Sequence, residues 1–210
     1  MILLYDMAYS PYCAKIRKLM DYKGLRYRTI PVPYHDKERL LRDTGQDYVP
    51  FLREGRVGVP FHRAVDYLEW TRRKPSAYPN RTKGVCKILE SWEYDWFEDR
   101  VWGLVAPFLE RRFKDPVERW NFTEFWERIY GPFEATRRNP KPVWESLHPS
   151  FSLLEASLRP RDYLVTDAPT AFDFAIYGDV HAMDYAGVEL PSRYPRLRGW
   201  YRRVHGVRRT

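Results

Sequence analysis

The feature of this chain that most constrains its fold is a change of pattern near residue 80. Before that point, short apolar runs of strand length alternate with stretches of helical periodicity; after it, one helical pattern follows another. Residues 74–80 contain two prolines and several polar side chains, which is typical of a linker. We therefore predict an α/β domain over residues 1–73, a linker over 74–80 and an all-helical domain over 81–210.

The first domain is predicted to begin with a parallel crossover. Residues 2–5 are a short apolar run, residues 11–22 carry apolar side chains at helical spacing, and residues 25–32 form a second strand candidate. Gly24 suits the left-handed end of the helix between them. Because strand, helix and strand follow one another with short joins, we expect the two strands to pair in parallel through a right-handed connection.

The rest of this domain is predicted to contain a hairpin between two helices. A short polar helix over residues 36–44 ends at Gly45, and a later helix covers residues 61–72. Two strand candidates, residues 49–52 and 56–59, flank a Glu-Gly turn and are expected to pair antiparallel.

A capping box marks the start of one helix in the second domain. The Thr170 hydroxyl is expected to accept the backbone N–H of Asp173, whose carboxylate accepts the N–H of Thr170. The apolar residues that follow predict a buried helix, so the role of this box is structural.

A third helical segment covers residues 151–158. Two more helices are predicted from apolar stripes formed by Ile88, Leu89, Trp92, Trp96, Val101 and Val105, and by Trp120, Phe122, Phe125, Trp126 and Ile129.

Composition excludes several classes of protein. The chain has 210 residues, a net charge of +8 and only two cysteines, Cys13 and Cys86, which are too few for a disulfide framework or a structural zinc site. The longest apolar run, residues 101–109, has nine residues, whereas a helix needs about 20 to span a bilayer. The first residues lack the pattern of a signal peptide. We expect a globular cytoplasmic protein with no membrane insertion, whose charge weakly favours acidic partners.

The stretch Ser10-Pro11-Tyr12-Cys13 is the strongest candidate for a functional site. It places a hydroxyl at the N-cap of the first helix, proline at the first helical position and a thiol at the third. A helix N-terminus attracts anions through its free N–H groups and its dipole. Two chemical interpretations stay open: the Cys13 thiol is acidified there, or the Ser10 hydroxyl donates to the thiolate of a bound thiol cofactor. The structural alternative is a simple cap beside a small buried side chain.

Four separated motifs together resemble one known family over nearly the whole chain. The turn from Ser10 to Cys13 looks like the active-site turn of serine-type and cysteine-type members, and like a glutaredoxin motif whose first cysteine is replaced by serine. Val49-Pro50-Phe51-Leu52 looks like a Val-Pro element in which a cis proline lies beside the ligand. The other two motifs are residues 64–69 and the C-terminal signature at 163–173 and 194–201. In this order they resemble the glutathione transferase superfamily.

The resemblance implies an α/β thioredoxin-like N-terminal domain followed by an all-helical C-terminal domain, with glutathione as co-substrate. It implies that Ser10 or Cys13 is the catalytic residue, and that a small hydrophobic electrophile docks against the helical domain. It also implies a homodimer. The residues that the resemblance assigns to glutathione binding are Tyr12, Val49, Pro50, Phe61 and His62.

One position departs from the family's pattern. Where members carry Glu-Ser just before the third helix, to hold the γ-glutamyl end of glutathione, this chain has Phe61-His62. A charge-assisted contact is worth about 1.5–3 kcal/mol, so we expect glutathione affinity to be lower by roughly tenfold to a hundredfold unless another carboxylate replaces it. Glu54 and Asp66 are the candidates for that replacement.

Three functions are consistent with these motifs. The first is a glutathione transferase in which Ser10 stabilises the thiolate. The second is a thiol–disulfide oxidoreductase in which Cys13 forms a mixed disulfide with glutathione. The third is a non-catalytic scaffold that kept the fold and lost the ligand, which the Phe61-His62 departure and the positive charge favour.

The remaining residues favour structural roles. We expect His62 to be exposed, and we expect no metal site at His181 because no second ligand follows at a metal-binding spacing. Most aromatic residues between 92 and 102 are expected in the core, with one or two lining a pocket. Nucleic-acid binding is disfavoured, since the amphipathic pattern of the basic tail is typical of a solvated helix face. The arginines of that tail are Arg196, Arg198, Arg202, Arg203, Arg208 and Arg209.

Overall fold

The N-terminal part of the protein is a small α/β unit. The computed structural model describes residues 1–207; Arg208 and Arg209 of the tail lie outside the described residues. The predicted strands and helices of this part are all present, with ends that differ from the prediction by two residues at most. Their bounds are β1 Ile2–Asp6, α1 Pro11–Tyr22, β2 Tyr27–Pro31, α2 Glu38–Thr44, β3 Phe51–Glu54, β4 Val57–Pro60 and α3 Phe61–Thr71.

A four-stranded mixed sheet forms the centre of this unit. Its strand order is β2-β1-β3-β4. β1 and β2 pair in parallel, with Ile2 opposite Tyr27, which confirms the predicted parallel pairing. β3 pairs antiparallel with both β1 and β4, and Leu52 lies opposite Val59. β1 is a central strand, and the short loop after it leads directly into α1. Ser10 therefore lies near the carboxyl end of β1, at the start of α1.

The C-terminal part is entirely helical. Apart from short 3₁₀ turns at Pro79–Arg81 and Glu110–Arg112, its helices are α4 Lys83–Trp92, α5 Glu98–Leu109, α6 Pro116–Tyr130, α7 Phe133–Arg138, α8 Lys141–Ser157, α9 Ala171–Ala186 and α10 Pro195–Gly206. A π-helical turn, Glu93–Phe97, joins α4 to α5. Within residues 1–207 none of the helices has the length and apolar character that crossing a membrane requires.

Helix α9 joins the two parts of the molecule. Nearly all of its side chains are buried, and it packs lengthwise against α1 and against α5. Its capping box is present as predicted: the Thr170 Oγ1 accepts the N–H of Asp173, and the Asp173 carboxylate accepts the N–H of Thr170 at 2.9 Å. The same carboxylate accepts the indole N–H of Trp200 at 2.8 Å, which ties α10 to the start of α9.

The apolar stripe predicted on α6 is largely not a buried face. Phe122 is fully buried, but Trp120 is 63% exposed and Phe125 and Ile129 are about half exposed. Ile88 on α4 is also exposed. The reason is tertiary: α6 makes few contacts outside its neighbours and turns only the side with Phe122 and Trp126 towards the core. Periodicity identified the helix but not the side that it buries.

Candidate functional site

The turn between β1 and α1 has the geometry of an N-cap. Ser10 has extended backbone angles, its Oγ accepts the N–H of Cys13 at 3.3 Å, and Pro11 occupies the first helical position. The Ser10 N–H donates to the Met7 carbonyl at 3.0 Å, which fixes the turn. Among residues 1–207 the Ser10 hydroxyl donates to no oxygen or nitrogen, and the one protein group that competes for its proton is the buried Cys13 sulfur.

Ser10 lies at the wall of a cavity between the two parts of the molecule. The cavity has a volume of about 530 Å³ and is bounded by the β1–α1 turn on one side and by the π-helical turn, α5 and α6 on the other. Ser10 itself is 7% exposed. The lining residues are Met7, Tyr9, Ser10, Pro11, Tyr12, Tyr34, Tyr94, Asp95, Glu98, Asp99, Trp102, Phe122, Trp126 and Tyr130.

Cys13 points into the protein interior. It is fully buried, and its Sγ accepts the N–H of Met7 at 3.4 Å. Burial raises the pKa of the Cys13 thiol to about 12, outweighing the bonds from Met7 and Ser10 that favour the thiolate. The pKa of Cys13 is therefore raised, whereas one interpretation of the sequence expected it to be lowered. The reason is that the first turn of α1 directs this side chain towards the core and away from the cavity.

Tyr12 lies in the cavity wall and is engaged by protein groups. Its hydroxyl donates to the Glu98 carboxylate, and its ring centroid lies 4.6 Å from that of Phe61. Burial and the adjacent Glu98 raise the pKa of the Tyr12 phenol. Tyr12 therefore stays protonated near neutral pH and links the start of α1 to α5.

The other residues predicted to bind glutathione do not line this cavity. The Val49–Pro50 peptide bond is cis, as the resemblance implies. Val49 packs against a small cluster of β1, α2 and β3 residues. Phe61 is half-buried and His62 is exposed at the start of α3, as expected for His62. The structure thus brings Ser10 and Tyr12 together at one cavity, while Val49, Pro50, Phe61 and His62 are not among its lining residues.

Neither carboxylate considered as a replacement for the missing glutamate is free. Glu54 pairs with Arg72 and accepts the Tyr67 hydroxyl at 2.7 Å. The hydrogen bond from Arg72 lowers the pKa of Glu54. Asp66 pairs with Lys83 at 2.8 Å. Both side chains are occupied in holding α3 in place.

Several cavity residues were not identified from the sequence. Tyr9 directly precedes Ser10 in the sequence. It lines this cavity and also a second cavity of about 730 Å³. Its hydroxyl contacts the Met7 Sδ at 3.5 Å. Burial raises the pKa of Tyr9, so it is a hydrogen-bond donor. Of the aromatic residues between 92 and 102, Tyr94 and Trp102 line the cavity, whereas Phe97 lies in the core.

A group of buried carboxyls lies behind the cavity. Glu93 and Asp179 are in contact and both lie next to Glu98. The neighbouring Glu90 pairs with the ammonium of Lys15 at 2.9 Å and with that of Lys87 at 3.6 Å. Burial raises the pKa of Glu93 to about 7 and that of Asp179 well above its usual range. The π-helical turn creates this arrangement, since its wider turn directs Glu93 inward while Tyr94 and Asp95 face the cavity. Within residues 1–207 no histidine, cysteine or carboxylate side chains form a group suited to a metal ion.

Two family models match the chain in sequence. The model described as "Glutathione S-transferase, N-terminal domain" matches residues 4–76, and "Glutathione S-transferase, C-terminal domain" matches residues 106–203. No curated protein matches the sequence.

Solved structures share the fold along the whole chain. A glutathione transferase from Phanerochaete chrysosporium superposes with a TM-score of 0.83 at 17% identity, over 98% of this chain and 96% of its own. A glutathione S-transferase from Ceriporiopsis subvermispora in complex with glutathione has a TM-score of 0.82 at 18% identity, over 99% and 97%. Glutaredoxin 2 from Salmonella typhimurium in complex with glutathione has a TM-score of 0.77 at 16% identity, over 98% and 95%.

Proposed function

Because this chain belongs to the glutathione S-transferase superfamily, we propose that it conjugates glutathione to a hydrophobic electrophile and that the Ser10 hydroxyl stabilises the reacting thiolate. The observation that carries the proposal is the position of Ser10, which caps α1 at the wall of a cavity and whose hydroxyl donates to no oxygen or nitrogen among residues 1–207. The homodimer implied by the resemblance and the cytoplasmic location expected from the composition belong to the same proposal.

The start of α1 supplies the electrostatics that a thiolate needs. In the first turn of α1 Pro11 has no N–H and the Cys13 N–H is bonded to the Ser10 Oγ, so the N–H left for a ligand is that of Tyr12. The helix dipole adds positive potential at the same place. A hydrogen bond to an ionised acceptor is worth about 1.5–3 kcal/mol, and it favours the charged form. Donation from Ser10 therefore lowers the pKa of a thiol bound beside it and raises the fraction of nucleophile at neutral pH.

Different parts of the site would bind the two substrates. Glutathione would lie along Val49–Pro50 with its sulfur towards Ser10, and the electrophile would occupy the 530 Å³ cavity. The thiolate then attacks the electrophilic carbon, a carbon–sulfur bond forms, and the leaving group departs with the bonding electron pair. With Phe61-His62 in place of Glu-Ser, and with Glu54 and Asp66 held in ion pairs, we expect glutathione to bind more weakly than a glutamate at that position would allow.

The test compares three proteins: wild type, Ser10→Ala and Cys13→Ala. Glutathione binding is measured by calorimetry, and conjugation to a generic aromatic electrophile is followed by absorbance. We expect Ser10→Ala to lower kcat/KM roughly tenfold to a hundredfold, because one charge-assisted hydrogen bond is lost. Cys13→Ala is expected to keep most of the activity.

Each alternative predicts a different result in the same assays. Reduction of a glutathione mixed disulfide that is lost in Cys13→Ala and kept in Ser10→Ala, without conjugation by the wild type, would establish a Cys13-dependent oxidoreductase. No binding of glutathione by the wild type at millimolar concentration would establish a scaffold that has lost the ligand. Thermal unfolding of each variant separates loss of function from loss of the cap, which costs about 1 kcal/mol.

A further inference from the structure

The cavity beside Ser10 has predominantly aromatic walls. Eight of its lining residues are aromatic. Trp102, Trp126 and Tyr130 form a stacked column, with ring centroids 5.1 and 5.7 Å apart and near-parallel planes. Opposite the column, the Tyr12 and Tyr94 rings lie 6.3 Å apart. Aromatic rings carry negative potential on their faces and attract organic cations as well as apolar groups.

The charged groups of this cavity all have one sign. Asp95, Glu98 and Asp99 line it, and no lysine, arginine or histidine among residues 1–207 does so. Burial raises the pKa of Glu98, so the negative charge of the cavity belongs chiefly to the exposed Asp95 and Asp99. Glu98 is 5% exposed and accepts the indole N–H of Trp102 at 3.1 Å in addition to the Tyr12 hydroxyl. Asp99 accepts the Tyr130 hydroxyl at 3.0 Å and Asp95 accepts the Ser91 hydroxyl at 2.9 Å. These bonds orient the carboxylates but leave their charge without a counter-charge in the cavity.

This local charge opposes that of the protein as a whole. The chain has a net charge of +8, so its overall field does not favour cations, whereas the cavity combines carboxylates with aromatic rings. A neutral apolar ligand in the cavity would remove water from Asp95 and Asp99 without replacing its interactions, which costs free energy. A ligand with a positive charge and an apolar body replaces that water with an ion pair and cation–π contacts.

We propose that this cavity selects organic cations, namely compounds in which an ammonium or quaternary ammonium group is attached to an aromatic or alkyl body. The inference rests on the proposed function in that such a compound would be the second substrate, with its electrophilic carbon towards Ser10 and its cationic group between the aromatic column and the carboxylates. Binding of the cation itself needs no glutathione, so the two proposals are tested separately.

The test uses two probes of the same shape and different charge. Phenyltrimethylammonium and tert-butylbenzene are titrated into the full-length protein without glutathione, and binding is followed by quenching of tryptophan fluorescence. We expect the cation to bind about tenfold more tightly or better, since a desolvated cation–π contact and an ion pair together contribute more than about 1.4 kcal/mol. Added salt is expected to weaken binding of the cation and to leave binding of tert-butylbenzene unchanged or strengthened.

Variants assign the preference to the cavity. The double variant Asp95→Asn/Asp99→Asn removes two carboxylate charges without changing side-chain size, and it is expected to reduce the cation's advantage by about tenfold. The control is Glu124→Gln, which removes one negative charge from the exposed face of α6 outside the cavity, and it is expected to bind both probes like the wild type. Circular dichroism confirms that each variant folds.

Three results would overturn the inference: equal binding of the two probes, tighter binding of tert-butylbenzene, or an unchanged preference in the double variant. Calorimetry with glutathione alone reports on the proposed function. If the protein prefers the cation but does not bind glutathione, the cation site stands and the transferase proposal is wrong. If it binds glutathione but does not prefer the cation, the transferase proposal stands and the cation site is wrong.

Discussion

At the residue scale, the least expected feature is the contact between two buried carboxyls, Glu93 and Asp179. Asp179 is 1% exposed, and neither of its oxygens meets an N–H or O–H donor among residues 1–207. The two groups can form a hydrogen bond only if one of them is protonated, since two carboxylates have no proton to share. Burial supplies the reason for protonation, because it disfavours the charged form.

The protonation of Glu93 gives stability a definite dependence on pH. Its pKa is raised from 4.5 to about 7 in the folded protein, so its contribution is complete below about pH 4.5 and is lost as pH rises through about 7. We expect the free energy of unfolding, measured with denaturant, to fall between about pH 5 and 8. Glu93→Gln stays uncharged at every pH and keeps a side-chain oxygen that can accept from protonated Asp179, so it is expected to flatten this dependence and to stabilise the protein at pH 8 by up to about 3 kcal/mol.

Glu145→Gln is the matched control for this substitution, because Glu145 is an exposed residue on α8 that pairs, among residues 1–207, with Lys141 alone. It should leave the pH profile as it is in the wild type. A Glu93→Gln protein with the wild-type profile would show that the protonation of Glu93 does not set this pH dependence, contrary to the arrangement described.

At the element scale, the sequence predicted which segments form helices and strands much better than how they pack. Local signals such as Pro11 at a helix start, Gly45 at a helix end and the Thr170 capping box are decided by residues a few positions apart. The apolar stripe of α6 identified the helix but not the side that it buries, because the burial of Trp120 or Phe125 depends on which helix lies opposite. That information is spread over distant parts of the chain.

The close approach of α9 to α1 was equally invisible in the sequence, and it depends on Gly178. A Cβ built there would lie 2.9 Å from the carbonyl carbon of Pro11, directly below the Ser10 turn. Backbone atoms cannot move aside as a flexible side chain can, so the two helices must separate to admit a methyl group. Gly178 therefore sets the distance between α9 and the start of α1.

Gly178→Ala is expected to destabilise the protein by about 1–3 kcal/mol through overpacking, despite the roughly 1 kcal/mol that alanine adds to helix propensity. Because the shift falls on Pro11, kcat/KM should fall as well. Gly199→Ala on α10 is the control, since a Cβ there meets nothing within 4 Å, and it should be neutral or stabilising. Thermal unfolding of both variants decides the point: equal stability of the two would mean that the helices adapt without cost.

At the scale of the whole molecule, the candidate site is made by bringing separate segments together. The residues of the Ser10 turn were predicted because a cap, a proline and a thiol lie next to one another in sequence. Glu98, Trp126 and Tyr130 belong to helices more than 80 residues further along the chain, and nothing in their local pattern distinguishes them from core or surface residues. Cys13 was a candidate for the opposite reason: its neighbours suggested a reactive thiol, but the fold buries it.

The central claim is that the start of α1 and the Ser10 hydroxyl stabilise a thiolate, and the most direct test is the pKa of the glutathione thiol in its complex with the protein. Thiolate absorbance in the ultraviolet is titrated against pH for wild type, Ser10→Ala and Cys13→Ala at saturating glutathione. We expect a wild-type pKa below the free-thiol value of about 8.5, a rise of about 1–2 units in Ser10→Ala and no change in Cys13→Ala. A bound thiol that titrates like free glutathione in the wild type, or a pKa unaffected by Ser10→Ala, would contradict the account.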